Sequence, residues 1–320
     1  MSSKMIGRRQ MLKTSLAGGL AFGMKAMGVN AQTSDKTLSA SKPPLLIDSH
    51  VHVFKRDAAY PFGSATTFPT FTPPTFDATP EELLELMKAN GVSRTVIIQH
   101  IYYKWDNSYL AAVLKQYPQY FQGVCRINPE DPAAPDHLSS WVKEHGFRGV
   151  RISPFEDPRF DWIRGPLMPP LWKRCGDLKI PMTVLTDSSR LPDVTALIDK
   201  NPDLTVVIDH MADIRPEQPE KLKLLTDLSR YPKVYVKISH MWSISKQPYP
   251  YADSMDQVKR VYDAFGPKRL MWGTDHPVCL PFLTYAKAVE LFRDHLDFLS
   301  IEDRNQILGK TVQEVWPFGL

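Results

Sequence analysis

Short runs of apolar, largely β-branched residues recur along the chain from residue 45 onward, separated by polar turns and by stretches with helical spacing. The runs are Leu45–Ile47, Thr95–Ile98, Gly123–Ile127, Gly149–Ile152, Met182–Leu185, Thr205–Ile208, Val234–Ile238 and Leu270–Gly273. They are close to continuously apolar, as expected of strands covered on both faces. A helix opens at Thr79-Pro80-Glu81-Glu82, with Thr79 as the cap and Pro80 in the first turn. Leu83, Leu84, Leu86 and Met87 share its broad apolar face, and Asn90-Gly91 stops it. Similar helices are expected at 107–116, 136–145, 192–200, 219–230 and 254–264, and Ser300-Ile301-Glu302-Asp303 starts a last one with a capping pattern. Eight such alternations predict a single-domain (β/α)8 TIM barrel over residues 45–320. The main rival, an open doubly wound sheet, would carry a Gly-rich loop after its first strand, and none is present. Residues 55–78, with Pro61, Pro69, Pro73, Pro74 and many aromatics, read as an insertion over one mouth of the barrel.

Charge changes the picture at the N-terminus. The net charge of +4 comes from the first 31 residues, which hold Lys4, Arg8, Arg9, Lys13 and Lys25 and no acid. The remainder carries 34 basic and 35 acidic groups, so neither nucleic acid nor an anionic membrane is indicated as a partner. Arg8-Arg9 with Leu12-Lys13, a short Gly-rich apolar stretch to Met24, and Val29-Asn30-Ala31 are ordered as n-region, h-region and cleavage site. They resemble the twin-arginine export signal of bacteria, so the mature protein is expected in the periplasm after cleavage near Ala31, with the twin-arginine machinery as a transient partner. The apolar stretch is too short for a membrane span. Residues 32–44 read as a polar linker. Cys125, Cys175 and Cys279 fit no zinc-finger or redox spacing; buried thiols are expected, although one disulfide after export would be possible.

In such barrels chemistry collects at the C-terminal strand ends. The first run leads into Asp48-Ser49-His50-Val51-His52, where alternate residues share a face. The sixth ends in Asp209-His210, the eighth in Gly273-Thr274-Asp275-His276, and the fourth carries Arg151. Singly, each has an ordinary structural explanation: a hydrogen-bonded histidine, a helix-capping aspartate, an arginine paired with a carboxylate at the edge of the core. Together, His50, His52, His210 and Asp275 converge on one point if the barrel forms. Gln99 and His100 end the second strand and His240 the seventh, and with His276 they are candidate pocket residues.

Asp-x-His-x-His on the first strand, Ile208-Asp209-His210-Met211 on the sixth, Trp272-Gly273-Thr274-Asp275 on the eighth and Gly146-Phe147-Arg148-Gly149-Val150-Arg151 resemble the amidohydrolase superfamily. The resemblance is to its amidohydrolase-2 branch, which includes 2-pyrone-4,6-dicarboxylate and sugar lactonases, and it covers roughly residues 43–318. It implies a hydrolase that opens a lactone, or a related ester or amide. Asp275 would be the general base, the histidines would polarise the carbonyl, and Arg151 would orient a substrate carboxylate or hydroxyl. His50, His52 and Asp275 would hold one divalent ion, zinc or manganese, with His210 or Asp187 as a fourth ligand, and metal-free hydrolysis is equally compatible with this set. The chain departs from the family at the fifth strand, where Val184-Leu185-Thr186-Asp187 lacks the usual histidine, and at the fourth, where no lysine is available for a two-metal site. The seventh-strand end offers Ser239-His240 rather than an arginine, which argues against a strongly anionic dicarboxylate. Metal-dependent decarboxylation of an aromatic or unsaturated acid is the alternative chemistry, and a non-catalytic periplasmic binding protein the alternative class.

Overall fold

The computed structural model describes residues 45–63, 74–155 and 158–319. The expected leader, the linker and the middle of the 55–78 insertion lie outside the described residues.

Eight parallel strands run β1 (Ile47–Val51), β2 (Arg94–Ile98), β3 (Phe121–Arg126), β4 (Val150–Ile152), β5 (Met182–Val184), β6 (Val206–Ile208), β7 (Val234–Lys237) and β8 (Leu270–Met271), each hydrogen-bonded to its sequence neighbour. The sheet closes between β8 and β1: Ser49 N–H donates to Trp272 O, Asp275 N–H to His50 O and His52 N–H to His276 O at 2.7–3.2 Å, and Val51 bridges His276 in parallel. This is the expected barrel. The first strand starts two residues later than the apolar run suggests and extends through His50, because closure against β8 supplies partners for polar positions that propensity alone would leave in a loop.

The crossover helices are α1 (Pro80–Asn90), α2 (Ser108–Gln116), α3 (Ala134–His145), α4 (Met168–Leu178), α5 (Leu191–Lys200) and α6 (Pro219–Thr226), then the short α7 (Met241–Ile244) and α8 (Ala252–Phe265), and α9 (Tyr285–Asp294) after β8. Helix α1 has the expected Thr79 cap, and Glu82 completes it as a capping box: Thr79 accepts from Glu82 N, the Glu82 carboxylate accepts from Thr79 N, and Gly91 at φ 72° ends the helix. Helices α4 and α9 are not evident from the sequence pattern. Pro169-Pro170 looks like a break, yet both prolines lie in the first turn of α4, where the amides they lack have no intrahelical partner.

Alternation along the strands, hidden in the apolar runs, divides two cores. Outward residues such as Ile97, Cys125, Val150, Ile152, Val206 and Val236 pack under the helices. Inward residues Ile47, Val96, Val124, Val207 and Met271 meet Val312, Trp316 and Phe318 of the C-terminal segment. That segment runs through α10 (Ile301–Asn305) and α11 (Thr311–Val315) and covers the N-terminal end of the barrel, where Pro317 O accepts from Gln122. The polar end is therefore the C-terminal one. Cys125, Cys175 and Cys279 are free, buried thiols. Among the described residues, no helix is long and apolar enough to cross a membrane.

Gly273 is required at the closure. A Cβ there would meet His50 Cβ at 2.8 Å and His50 N at 3.1 Å. Gly273→Ala is expected to cost about 1–3 kcal/mol in urea denaturation, with a further loss of activity because the displaced neighbour is His50.

Candidate active site

His50 and His52 reach the same space from β1, as their spacing predicts. Their Nε2 atoms are 3.3 Å apart, and both face Asp275 Oδ1, at 3.5 Å from His50 and 3.2 Å from His52. His52 Nδ1 lies 2.7 Å from Ile98 O, so it donates there and leaves Nε2 as a lone pair. His210 joins from the end of β6, its ring centroid 4.4 Å from that of His50. His240 stacks on His210 at 3.6 Å with the rings nearly parallel. These residues are buried apart from His240, which keeps a small exposed edge.

The convergence depends on unusual backbone. His210, Met211, Ala212 and Asp213 have φ of 51°, 51°, 55° and 47°, a left-handed turn made without glycine. His240 and Asp275 also have positive φ, 65° and 56°. Each such residue costs roughly 1–2 kcal/mol, and strain of this kind is retained where the surroundings fix it. The turn swings His210 off the strand line, where its Nδ1 meets Ser239 Oγ at 2.7 Å, and brings Asp213 to His240 Nδ1 at 3.0 Å. His240 Nε2 lies 2.5 Å from Asp275 Oδ2.

His240 is thus held between two carboxylates. Burial alone would lower its pKa, but Asp275 and Asp213 outweigh it and raise it to about 9, so the ring is an imidazolium at neutral pH. Burial alone would raise Asp275; His240, with His52 and His50, holds it well below the usual carboxylate range. His210 is driven well below the ordinary histidine value by burial and by His240 and His50. His50 falls to about 3 through burial and the Lys237 ammonium.

Beneath this cluster sits a buried charge group that the strand-end reading overlooks. Asp209 Oδ1 is 3.1 Å from Lys237 Nζ and 3.4 Å from His50 Nδ1, and Oδ2 is 2.9 Å from Arg151 Nε. Lys237 Nζ also lies 3.2 Å from His50 Nδ1. Burial would raise the Asp209 carboxyl, but Lys237, Arg151 and His50 hold it well below its ordinary range. The structure therefore places Arg151 against Asp209. Lys237 and Asp213 were legible as polar positions beside apolar strands, but their partners were not. Arg126, inward on β3 and level with Arg151 on β4, carries the same signal.

The remaining candidates sit around the rim. Gln99 donates to Asp106 O at 2.5 Å. His100 Nδ1 accepts from Tyr102 N, and its ring meets His52 edge-on at 4.7 Å. His276 packs its ring against Tyr285 at 5.5 Å and lends its carbonyl to β1, and burial lowers it to about 4. Asp187, expected as a possible fourth ligand, instead accepts from Ser189 N at 2.8 Å and caps a short turn; it belongs to none of the potential metal-binding groups among the described residues.

The donor set fits a metal ion. Ligands about 2.0–2.1 Å from a tetrahedral ion stand roughly 3.3 Å from one another, and the His50, His52 and Asp275 atoms stand 3.2–3.5 Å apart. Asp275 Oδ1 is buried with no hydrogen-bond donor among the described residues. Histidine lone pairs facing an ionised oxygen call for a cation or a proton between them. His50–Asp209–His210 and His210–His240–Asp275 are further groups of the same size.

A closed (β/α)8 barrel with histidines and a carboxylate gathered at its C-terminal mouth defines a barrel hydrolase. The chain belongs to the amidohydrolase family, whose model matches residues 47–318. It is 29% identical over 244 residues to an L-fucono-1,5-lactonase of Burkholderia ambifaria, covering 72% of this chain and 80% of that protein. It is 28% identical to a 4-sulfomuconolactone hydrolase of Hydrogenophaga intermedia, over 73% of this chain and 75% of that one. Among solved structures, a putative 2-pyrone-4,6-dicarboxylic acid hydrolase of Pseudomonas putida superposes with a TM-score of 0.74 at 26% identity, covering 87% of this chain and all of that one.

Asp209→Asn should leave Lys237 and Arg151 without a full counter-charge and destabilise the fold by about 3–5 kcal/mol. Because the folded-state pKa of Asp209 is depressed, this contribution is present above about pH 4 and is lost only on further acidification. The gap between wild type and variant in urea midpoints should therefore be constant through neutral pH and shrink below that value.

Proposed function

We propose that the protein opens lactones by hydrolysis, with Asp275 as the general base. The observation that carries this reading is the division of labour between the Asp275 oxygens: Oδ2 is tied to the His240 imidazolium, whereas Oδ1 faces the His50 and His52 Nε2 atoms with no donor of its own. Oδ1 takes the proton of a water aimed at the lactone carbonyl and returns it to the ring oxygen as the C–O bond breaks. His240, clamped by Asp213, keeps the carboxylate in one orientation. With the Ser239 hydroxyl donating to Nδ1, neutral His210 carries its proton on Nε2 and donates it toward the carbonyl oxygen as charge develops. Arg151 and Lys237 act through Asp209, which fixes the His50 ring.

His50, His52 and Asp275 are the residues that would hold a divalent ion, zinc or manganese by the chemistry of the donors. Such an ion would supply Lewis-acid polarisation and a more acidic water. The lactonases among the relatives support the reaction class. The order of residues 1–31 supports export by a twin-arginine route and action in the periplasm.

Asp275→Asn should lower kcat for lactone opening by about 10²–10⁴-fold while the circular dichroism spectrum and melting temperature stay near wild type. Retained turnover in that variant would overturn the assignment. Elemental analysis of protein purified without chelator should find about one zinc or manganese per chain, lost in His50→Ala. Metal-free protein with full lactonase activity would restrict the chemistry to the side chains.

A further inference from the structure

The loop that follows Asp275 departs from the usual chemistry of an exposed turn. From Pro277 to Leu283 it reads Pro-Val-Cys-Leu-Pro-Phe-Leu, with no charged residue and no polar side chain but the buried Cys279 thiol. Val278, Leu280 and Phe282 are 37%, 44% and 58% exposed, three of the six large apolar side chains that stand so far into solvent among the described residues. Apolar side chains gathered in one exposed place, rather than scattered singly, mark a binding surface. The loop is firmly built. Cys279 N–H donates to Asp275 O at 3.1 Å, and Phe282 N–H and Leu283 N–H donate to Cys279 O at 2.9 and 3.0 Å. Beneath it, Cys279, Leu283 and Ala288 form a small buried cluster against which Trp242 of α7 packs.

Trp242 joins this patch to the histidine cluster. Its half-buried ring stacks on Phe282 at 4.6 Å and lies 4.5 Å from His240, which itself stacks on His210 at 3.6 Å. A continuous row of rings thus runs from the buried His210 to the exposed Phe282. The His240 side chain is 13% exposed, against 5% or less for His50, His52, Arg151, Asp209 and Asp275, so the row leaves the cluster where it is most open.

The chemistry of the row selects its occupant. A face without hydrogen-bonding side chains would leave the hydroxyls of a sugar unpaired. It gives a carboxylate no counter-charge either: Lys246, the one charged residue between Trp242 and α8, is paired with Glu217 at 2.7 Å. An alkyl or aryl group fits it. A second copy of the chain fits less well, since a stable pair buries about 800 Å² on each partner and the patch consists of a few partly exposed side chains. Continuity with His240 has no part in such a contact, but it is required of a surface that holds one end of a molecule whose other end reacts.

We infer that Trp242 and Phe282 form a subsite for an apolar substituent of the lactone, and that the enzyme prefers lactones bearing an alkyl or aryl group to unsubstituted or polyhydroxylated ones. The inference rests on the lactonase reading for the reacting end and on the row of rings for the substituent. Trp242 and Phe282 are specificity residues: a substituent laid along them sets the ring toward Asp275 and the histidines.

Two measurements test it. The first is kcat/KM for ring opening of δ-valerolactone, δ-octalactone and δ-decalactone, which differ in the alkyl tail beside the ring oxygen. Wild type should gain about 2–4-fold per added methylene. Phe282→Ser should lower the ratio of δ-decalactone to δ-valerolactone by about 5-fold or more, and Phe282→Tyr, which keeps the ring, should retain most of it. The second is calorimetric titration with the corresponding lactams, piperidin-2-one and 6-pentylpiperidin-2-one. Wild type should bind the pentyl compound more tightly, and Phe282→Ser should remove most of the difference. A wild type indifferent to the tail, or a preference that survives Phe282→Ser, would overturn the inference. So would a dimer of wild type that Phe282→Ser dissociates in sedimentation with the ratio unchanged, which would assign the patch to a contact between copies. If wild type opens none of the lactones, the lactonase reading fails, and the lactam pair still decides the subsite.

Discussion

The polar mouth of this barrel depends on the carboxylate of Asp209. It lies fully buried among Arg151, Lys237 and His50, each from a different strand, and without it two cations would stand unbalanced in the interior. An ion group taken out of water is tolerated only when its charges are closely matched. The group therefore specifies geometry more than it adds stability. It fixes the rotation of the His50 ring, and with it the direction of the Nε2 that meets His52 and Asp275. Site preorganisation begins one layer below the atoms that would touch substrate.

A second layer of charge surrounds Asp275. The His240 imidazolium between Asp213 and Asp275 keeps the Asp275 carboxylate ionised in a place where burial favours the acid. Its cost is carried by the backbone, in the left-handed residues 210–213, 240 and 275. Those torsions persist because the packed barrel ends and the ion pairs hold them together. The metal-capable triad, the Asp–His–Asp clamp and the stacked His210–His240 pair share atoms, so a change in one alters the electrostatics of the rest.

Much of the architecture was legible from the chain alone. All eight strands, the Thr79 cap and the Gly91 stop follow from local rules, because strand burial and helix capping are written in neighbouring residues. Helices α4 and α9 were less legible. In α4, proline positions compatible with a first turn resemble breaks when read without the surrounding turn. His50, His52, His210 and Asp275 could be placed at strand ends by counting runs, and the barrel then brought them together. The pairing of Arg151 with Asp209, the capping use of Asp187 and the burial of Lys237 were not written locally, since each depends on which residues lie alongside.

What the sequence by itself determined is the barrel, the family and the identity of the histidines and aspartate that face its mouth. The barrel and the strand-end residues follow from periodicity and spacing, and the family from the resemblance of its motifs, all of them properties of short stretches of chain. What only the tertiary structure decided is which charges are balanced: Asp209 neutralises Arg151 and Lys237, and Asp213 and Asp275 clamp His240. Charge balance in a low-dielectric interior is set by distances of a few ångströms between residues far apart in sequence, and closure of the sheet between β8 and β1 is what fixes those distances.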